Sequence, residues 1–158
     1  MDQFGLVGTI PTGLPLPPVG ARFVLLSDLP SRAVRPATDR PPSMVTWRLV
    51  AANNRSIGRA TSVFLGVGEC VDDIARLTEQ VGQSSASVQA HTDGHSTAGS
   101  HWSWTVLLAG DPVAVSIHRY QRRVECERAL RYFLDAVRLA PPVSQSVRRL
   151  GSRLGRPA

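Results

Sequence analysis

Two similar segments constrain the fold of this chain more than any other feature of its sequence. The first, WRLVAANNRSIGRATSVFLGVGECVDDIARLTEQV, begins at Trp47, and the second, WTVLLAGDPVAVSIHRYQRRVECERALRYFLDAV, begins at Trp104. They align at an offset of 57 residues that becomes 56 after the turn, so that Glu69-Cys70 corresponds to Glu125-Cys126. A repeat of this size is typical of a supersecondary unit that cannot bury its apolar face alone. We therefore expect the two copies to share one core.

Each copy is predicted to be a β-hairpin followed by a helix. β-branched, aromatic and aliphatic residues flank a turn signal, which is Asn53-Asn54 in the first copy and Gly110-Asp111-Pro112 in the second. A helical pattern follows at about 69–81 and at about 124–139. The predicted strands are 45–52 and 56–64 in the first copy, and 102–109 and 113–120 in the second.

One apolar face of each predicted helix carries a cysteine. The apolar residues recur at i, i+4, i+7 and i+11 in both copies, which is the spacing of a single helical face. A free cysteine at such a position behaves as a small hydrophobe, whereas a disulfide between the two would need an oxidising compartment. We therefore expect both cysteines to pack in the core. The two stripes are Cys70, Ile74, Leu77 and Val81, and Cys126, Leu130, Phe133 and Val137.

These elements predict an α+β fold in which two tandem β-hairpin-plus-helix repeats form one antiparallel sheet with both helices on one face. Residues 1–43 contain eight of the twelve prolines and are predicted to be an arm or linker with a short strand at 22–27. Residues 82–101 are rich in Ser, Gly, Thr and His, which is typical of a linker. The predicted repeats are 44–81 and 102–139, and a basic extension occupies 140–158.

The duplicated pattern is similar to a known family. In each copy an aromatic-led strand runs into a turn of small residues, and a second strand ending in an aromatic precedes the helix. With W-R-L-V-A-A-N at 47–53, this pattern resembles the YegP-like (UPF0339-type) tandem-repeat family of small bacterial proteins, over roughly residues 44–139. The resemblance implies that pairs of units merge into one sheet by exchanging a terminal strand. It implies no established activity, cofactor or catalytic residue.

The composition excludes several classes of protein. No run approaches the roughly eighteen apolar residues that a membrane-spanning helix needs. The first twenty residues lack a basic region and are interrupted by four prolines, so they are a poor signal peptide. The two cysteines fit neither a disulfide framework nor a metal-binding spacing. We therefore expect a cytoplasmic protein.

The positive charge is concentrated at one end of the chain. The formal net charge is +6, and all eighteen basic residues are arginine. Residues 1–118 hold eight arginines and nine acids, whereas residues 119–158 hold ten arginines and three acids. The planar guanidinium fork suits bidentate contacts with phosphate or carboxylate. The predicted anion or nucleic-acid contacts are Arg119, Arg122, Arg123, Arg128, Arg131, Arg148, Arg149, Arg153 and Arg156.

The extension after Pro142 is predicted to form a short basic amphipathic helix. Val143, Val147, Leu150 and Leu154 recur at helical spacing, and arginines occupy the other faces. Three interpretations stay open for it. The first is a phosphate-contacting surface, the second is a helix that docks on a partner or a membrane surface, and the third is a solvated tail that packs on its own domain. Two glycines in the pattern weaken the helix and favour the third interpretation.

The segment HTDGHSTAGSH contains the metal-ligand candidates of this chain. His91, Asp93, His95 and His101 are residue types that bind zinc or nickel, but they match no established motif, and a solvated polar linker explains them equally well. We identify no catalytic residues and no cofactor-binding motif, because no nucleophile is tied to these histidines and the glycine-rich segments lack the spacing of a phosphate-binding loop.

The leading functional hypothesis is a non-enzymatic interaction module that engages an anionic partner, such as nucleic acid, through the arginine-rich C-terminal surface. The alternative is a structural protein whose repeat domain mediates homodimerisation or protein docking, with the charge serving solubility. An enzyme would need a pocket that joins His118 or the cluster at 91–101 to an acid.

Overall fold

The computed structural model describes residues 18–28, 44–92 and 99–143, and the backbone of 147–149. These residues form an α+β fold with one sheet and two helices. The strands are β1 (Arg22–Asp28), β2 (Met44–Val50), β3 (Ser56–Ala60), β4 (Ser85–His91), β5 (His101–Leu108), β6 (Asp111–Ser116) and β7 (Val147–Arg149). The helices are α1 (Val67–Gln80), which continues into a 3-10 turn at Val81–Gln83, and α2 (Arg123–Leu139).

The strand order across the sheet is β4-β5-β6-β3-β2-β1-β7. Every pair among the first six strands is antiparallel, and the short β7 lies parallel to β1 at the edge. The predicted hairpins are therefore β2–β3 and β5–β6, and they meet in the middle of the sheet. Both predicted helices are present, and each begins one or two residues earlier than expected.

The repeated unit is longer than the predicted one. Strand β1 pairs with β2 along its whole length, and β4 pairs with β5 in the same way, so each unit is three antiparallel strands followed by a helix. The segment 82–101, predicted to be a linker with a weak strand candidate at 86–90, contains β4 at 85–91. Part of the predicted arm forms β1, one residue longer than the expected strand at 22–27. Ala86, Val88 and Ala90 alternate with polar residues along β4, but these apolar side chains are small and exposed or half-buried, so the strand signal is weak.

The two units are related by a pseudo-twofold axis through the sheet. Arg59 of β3 pairs with Val115 of β6, and these two residues are each other's counterparts at the repeat offset. Beyond the hairpins, Val45 exchanges backbone hydrogen bonds of 2.8 and 2.7 Å with Phe64, and Trp102 exchanges equivalent bonds of 2.7 and 2.9 Å with Tyr120. The symmetry extends to individual hydrogen bonds, and departures from it are therefore informative.

A single core lies between the sheet and the two helices. Cys70, Leu77, Cys126 and Phe133 have no exposed surface, and the two strand tryptophans, Trp47 and Trp104, are equally buried. The predicted stripes are confirmed except at Leu130, which is only half-buried. Both thiols are free. The cysteines therefore pack as core residues.

The predicted basic helix after Pro142 is wrong where the structure describes that segment. Residues 147–149 form β7, whose backbone pairs with Leu25, Leu26 and Ser27 of β1. The unpaired edge of β1 offers backbone partners that a glycine-containing helix would have to find within itself. Residues 150–158, with Arg153 and Arg156, lie outside the described residues.

Candidate anion-binding site

The described acidic side chains are concentrated on the helices, whereas the described arginines lie on both the helices and the sheet. Eight Asp and Glu side chains are described, and seven of them lie on α1 or α2. The eighth, Asp111, pairs with the core residue Leu108 at the start of β6. We call the sheet face opposite the helices the outer face. Since Arg22, Arg48 and Arg59 each lie next to core residues on their strands, strand alternation places all three on the outer face.

Two of these arginines are directly opposite each other. Arg48 of β2 and Arg59 of β3 are paired in the antiparallel register. Cβ atoms of directly opposed residues lie about 4.5–5.5 Å apart, so two like charges there repel each other. Neither arginine forms an ion pair with any side chain that the structure describes. The pair is a concentration of positive charge that lacks a described protein counter-ion.

A cleft of about 360 Å³ lies at one end of the outer face. Arg59 and Arg119 line it together with His91, His101 and His118, and we call it the histidine cleft. The rings of His91 and His101 are stacked with centroids 5.2 Å apart, and His91 Nε2 lies 2.6 Å from Ser103 Oγ. No described carboxylate lines the cleft. It therefore offers hydrogen-bond donors and positive charge to an anion.

The arginines of α2, which were predicted anion contacts, are partly paired with acids of the same helix. Arg123 Nε lies 2.8 Å from Glu127 Oε1 and also stacks over Trp102, 5.7 Å from the ring centroid. Arg122 Nε lies 4.0 Å from Glu125 Oε1. Arg128 and Arg131 are exposed and form no ion pair within the described part of the chain. The sequence therefore overstated how much free positive charge α2 presents.

The remaining predicted contacts are placed only in part. The backbone of Arg148 and Arg149 lies in β7, beside β1. Arg119 lies in the histidine cleft, at the end of the chain segment that follows β6. Strand β7, with Arg148 and Arg149, therefore lies at the β1 edge of the sheet, whereas Arg119 lies in the histidine cleft, which residues of β3, β4 and β5 also line.

The metal-ligand candidates are also placed only in part. His91 and His101 are cross-strand partners in β4 and β5, whereas Asp93 and His95 lie outside the described residues. Within 18–28, 44–92 and 99–143, no group of three or more His, Cys, Asp or Glu side chains could hold a metal ion. We therefore assign the described histidines to the histidine cleft.

The buried thiols are unsuited to nucleophilic chemistry. Burial, with a smaller contribution from the nearby Asp73 carboxylate, raises the pKa of Cys70 from 9.0 to about 12. Burial, followed by the charge of Glu127, also raises the pKa of Cys126. Because the thiolate is the reactive form, both groups are inert near neutral pH.

Sequence reasoning missed the Arg48–Arg59 pair. The alternation of Arg48 with two core residues predicts its face, but its partner cannot be counted from the turn, because the register shifts by one residue between Leu49 and Val50. The extent of the histidine cleft had no such signal, since it combines residues from β3, β4, β5 and the segment after β6.

No family model, curated protein or solved structure is significantly similar to this chain. The resemblance to the YegP-like family therefore stays a prediction from the sequence pattern. Neither helix in the described part of the chain is long and apolar enough to cross a bilayer.

Proposed function

We propose that this protein is a non-enzymatic nucleic-acid-binding module that contacts phosphates with the outer face of its sheet. The observation that carries the proposal is the directly opposed Arg48–Arg59 pair, which has no acidic partner among the described residues. Two like charges in this position destabilise the sheet. A phosphate between them turns that repulsion into two charge-assisted contacts.

The surroundings of the pair suit a phosphate backbone. Arg59 also lines the histidine cleft, where Arg119 and three histidines provide further donors. Successive phosphates of one strand could therefore contact Arg48, Arg59 and the cleft in turn. The C-terminal segment, with Arg148 and Arg149 in β7, adds cationic residues at the β1 edge.

The outer face is suited to backbone contacts without base recognition. All described Trp, Tyr and Phe side chains pack in or against the core, so none is available there as a stacking platform. Proteins that read bases in single strands normally stack them on aromatic side chains. We therefore expect salt-dependent binding with little sequence preference.

The test compares two charge-matched double variants by fluorescence anisotropy with labelled single- and double-stranded oligonucleotides over a salt series. R48Q/R59Q removes two charges from the outer face, and R128Q/R131Q removes two from α2. We expect R48Q/R59Q to weaken binding at least about tenfold and to lower the slope of log affinity against log salt by about two. We expect R128Q/R131Q to change the affinity by less than about twofold.

The stability of the variants separates lost binding from lost folding. Because R48Q/R59Q relieves a repulsion, it should unfold at the same denaturant concentration as the wild type or a higher one. Loss of binding with R128Q/R131Q alone would move the site to α2. Absence of salt-dependent binding in the wild type would end the nucleic-acid proposal.

A second candidate is a structural role in homodimerisation or docking. The observation that favours it is the outer edge of β4, since the described residues pair this strand with β5 alone. An unpaired edge of seven residues is a template for a further strand. Light scattering on the full chain and on a chain ending at Ala140 tests it, because a dimer that persists without the C-terminal segment assigns association to the repeat domain.

A further inference from the structure

The two units differ in the hydrogen bonding of the indole N–H of their buried tryptophan. In the first unit, Trp47 Nε1 donates to Asp73 Oδ2 of α1 at 2.8 Å. The counterpart of Asp73 at the repeat offset is Ala129 of α2. In the second unit, Trp104 Nε1 is fully buried and has no hydrogen-bond partner among the described residues. Such an orphaned donor in a native core needs an explanation.

A cavity of about 270 Å³ lies where the second unit has lost that carboxylate. Ala129 and Tyr120 line it with Tyr132, and the β2–β3 turn region contributes Ala51, Asn53, Arg55, Ser56 and Ile57. In the first unit, Asp73 pairs with Arg76 at 3.5 Å, and the counterpart of Arg76 is Tyr132. The ion pair of the first unit is thus replaced in the second by an alanine and a tyrosine, and the cavity borders both.

Tyr120 connects the orphaned N–H with the cavity. Its counterpart is Phe64, so the second unit has gained a hydroxyl where it lost a carboxylate. Burial raises the pKa of Tyr120, and a hydrogen-bonding interaction with the Trp104 side chain partly offsets this rise. The interaction is weak, because no described atom lies in good hydrogen-bond geometry to Trp104 Nε1. The phenol oxygen therefore lies near the indole N–H without forming a well-aligned hydrogen bond.

The rim of the cavity favours an anion. Exposed Arg55 and His118 line it, and no Asp or Glu does so among the described residues. His118 Nε2 lies 3.2 Å from the Ser56 carbonyl oxygen, which holds the ring at the rim. The hydroxyl groups of Tyr120 and Tyr132 add donors. The lining thus combines positive charge with hydrogen-bond donors, and a carboxylate equivalent to that of Asp73 would interact favourably with both.

We infer that this cavity binds a small carboxylate, which supplies the acceptor that Asp73 provides in the first unit. The carboxylate accepts the Tyr120 hydroxyl hydrogen, which directs a phenol lone pair toward Trp104 Nε1, so that both donors are satisfied together. Hydrogen bonds linked in this way strengthen one another. The cavity shares His118 with the histidine cleft but contains neither Arg48 nor Arg59, so the inference does not depend on the proposed nucleic-acid binding.

The test is a titration of the ¹⁵N-labelled protein with formate, acetate and propionate, and with chloride at matched ionic strength. The indole resonances of Trp104 and Trp47 are read in the same spectrum, so that Trp47 is an internal control. We expect the Trp104 indole proton to move downfield and saturate with a carboxylate, and Trp47 to follow the chloride titration. A Trp104 shift that does not saturate, or that chloride reproduces, would overturn the inference.

Three variants locate the site. Y120F introduces the residue of the first unit and should abolish the saturable shift. F64Y places the same hydroxyl in the first unit, outside the cavity, and should leave the saturable Trp104 shift unchanged. A129D supplies the missing carboxylate, so we expect a downfield Trp104 resonance without ligand and at least about tenfold weaker acetate binding. If Y120F binds acetate as the wild type does, or if A129D leaves binding unchanged, the relay is wrong.

Discussion

Gly58→Ala tests the packing at the centre of the fold. Gly58 lies on β3, and a Cβ built there would approach two ring carbons of Phe133 to 2.6 and 2.7 Å and one of Trp104 to 2.7 Å. Non-bonded carbons rest about 3.5–4.0 Å apart, so the added methyl group overlaps these rings by about 1 Å. Both rings are fully buried, and neither can swing into solvent. The strand or the helix must therefore shift.

The expected cost follows from two opposing terms. Overpacking of a core typically costs about 1–3 kcal/mol, whereas replacing glycine by alanine restricts the unfolded chain and returns about 0.4–1 kcal/mol. We therefore expect Gly58→Ala to lower the free energy of unfolding by about 1–2 kcal/mol. Urea unfolding followed by tryptophan fluorescence and by circular dichroism measures this change, provided that the two probes report one transition.

The equivalent positions of the other unit indicate a substitution that compensates for Gly58→Ala. The counterparts of Gly58 and Phe133 are Ala114 and Leu77, so the first helix places a smaller side chain opposite a residue that already has a Cβ. We expect Phe133→Leu to relieve the part of the clash that involves Phe133, while the close approach to Trp104 stays, with a coupling energy of about 1 kcal/mol or more in the double-mutant cycle. The predicted overlap with the Phe133 ring would be contradicted if Gly58→Ala were as stable as the wild type, or if the two changes were additive within about 0.3 kcal/mol.

Three further predictions concern the core and the edge of the sheet. Asp73→Ala leaves the Trp47 N–H without its acceptor and should cost about 1–3 kcal/mol in urea unfolding, whereas an unchanged midpoint would show that the 2.8 Å bond contributes nothing. The raised pKa values of Cys70 and Cys126 mean that folding favours the protonated thiols, so stability is full below the usual 9.0 and falls as the pH rises above it. Urea midpoints between about pH 8 and pH 10 should show this fall, and Cys70→Ala should reduce it. Removing residues 144–158 deletes a strand that pairs with three residues of β1, so unfolding should stay cooperative with a loss of about 1–2 kcal/mol, and a non-cooperative transition would contradict this.

Much of the fold was predictable because its signals are local. The hairpins and helices of both copies follow from apolar periodicity, and the helix stripes around Cys70 and Cys126 were correct at nearly every position. The candidate site was less predictable. The sequence marks His91 and His101 for metal binding and His118 only as part of a pocket that an enzyme would need, whereas the structure groups all three with Arg59 and Arg119.

The failures share one physical cause. Strand β4 has only small alanines and one valine in its apolar alternation and is held by backbone pairing with β5, so its own pattern is a weak signal. The residues of β7 repeat at a helical spacing, yet the free edge of β1 gives their backbone a strand partner. In both segments a distant strand determines the conformation, and a pattern within the segment cannot report on it.

The sequence by itself determined that this chain has two copies of one unit, where their central hairpins and helices lie, and which helix face is buried. Periodicity and offset suffice for these features, because they depend on neighbours along the chain. Only the tertiary structure decided that each unit begins with an extra strand, that Arg48 faces Arg59, and that the Trp104 N–H lacks the carboxylate acceptor that Trp47 has. These features depend on pairing and packing between residues far apart in the chain, which no local pattern encodes.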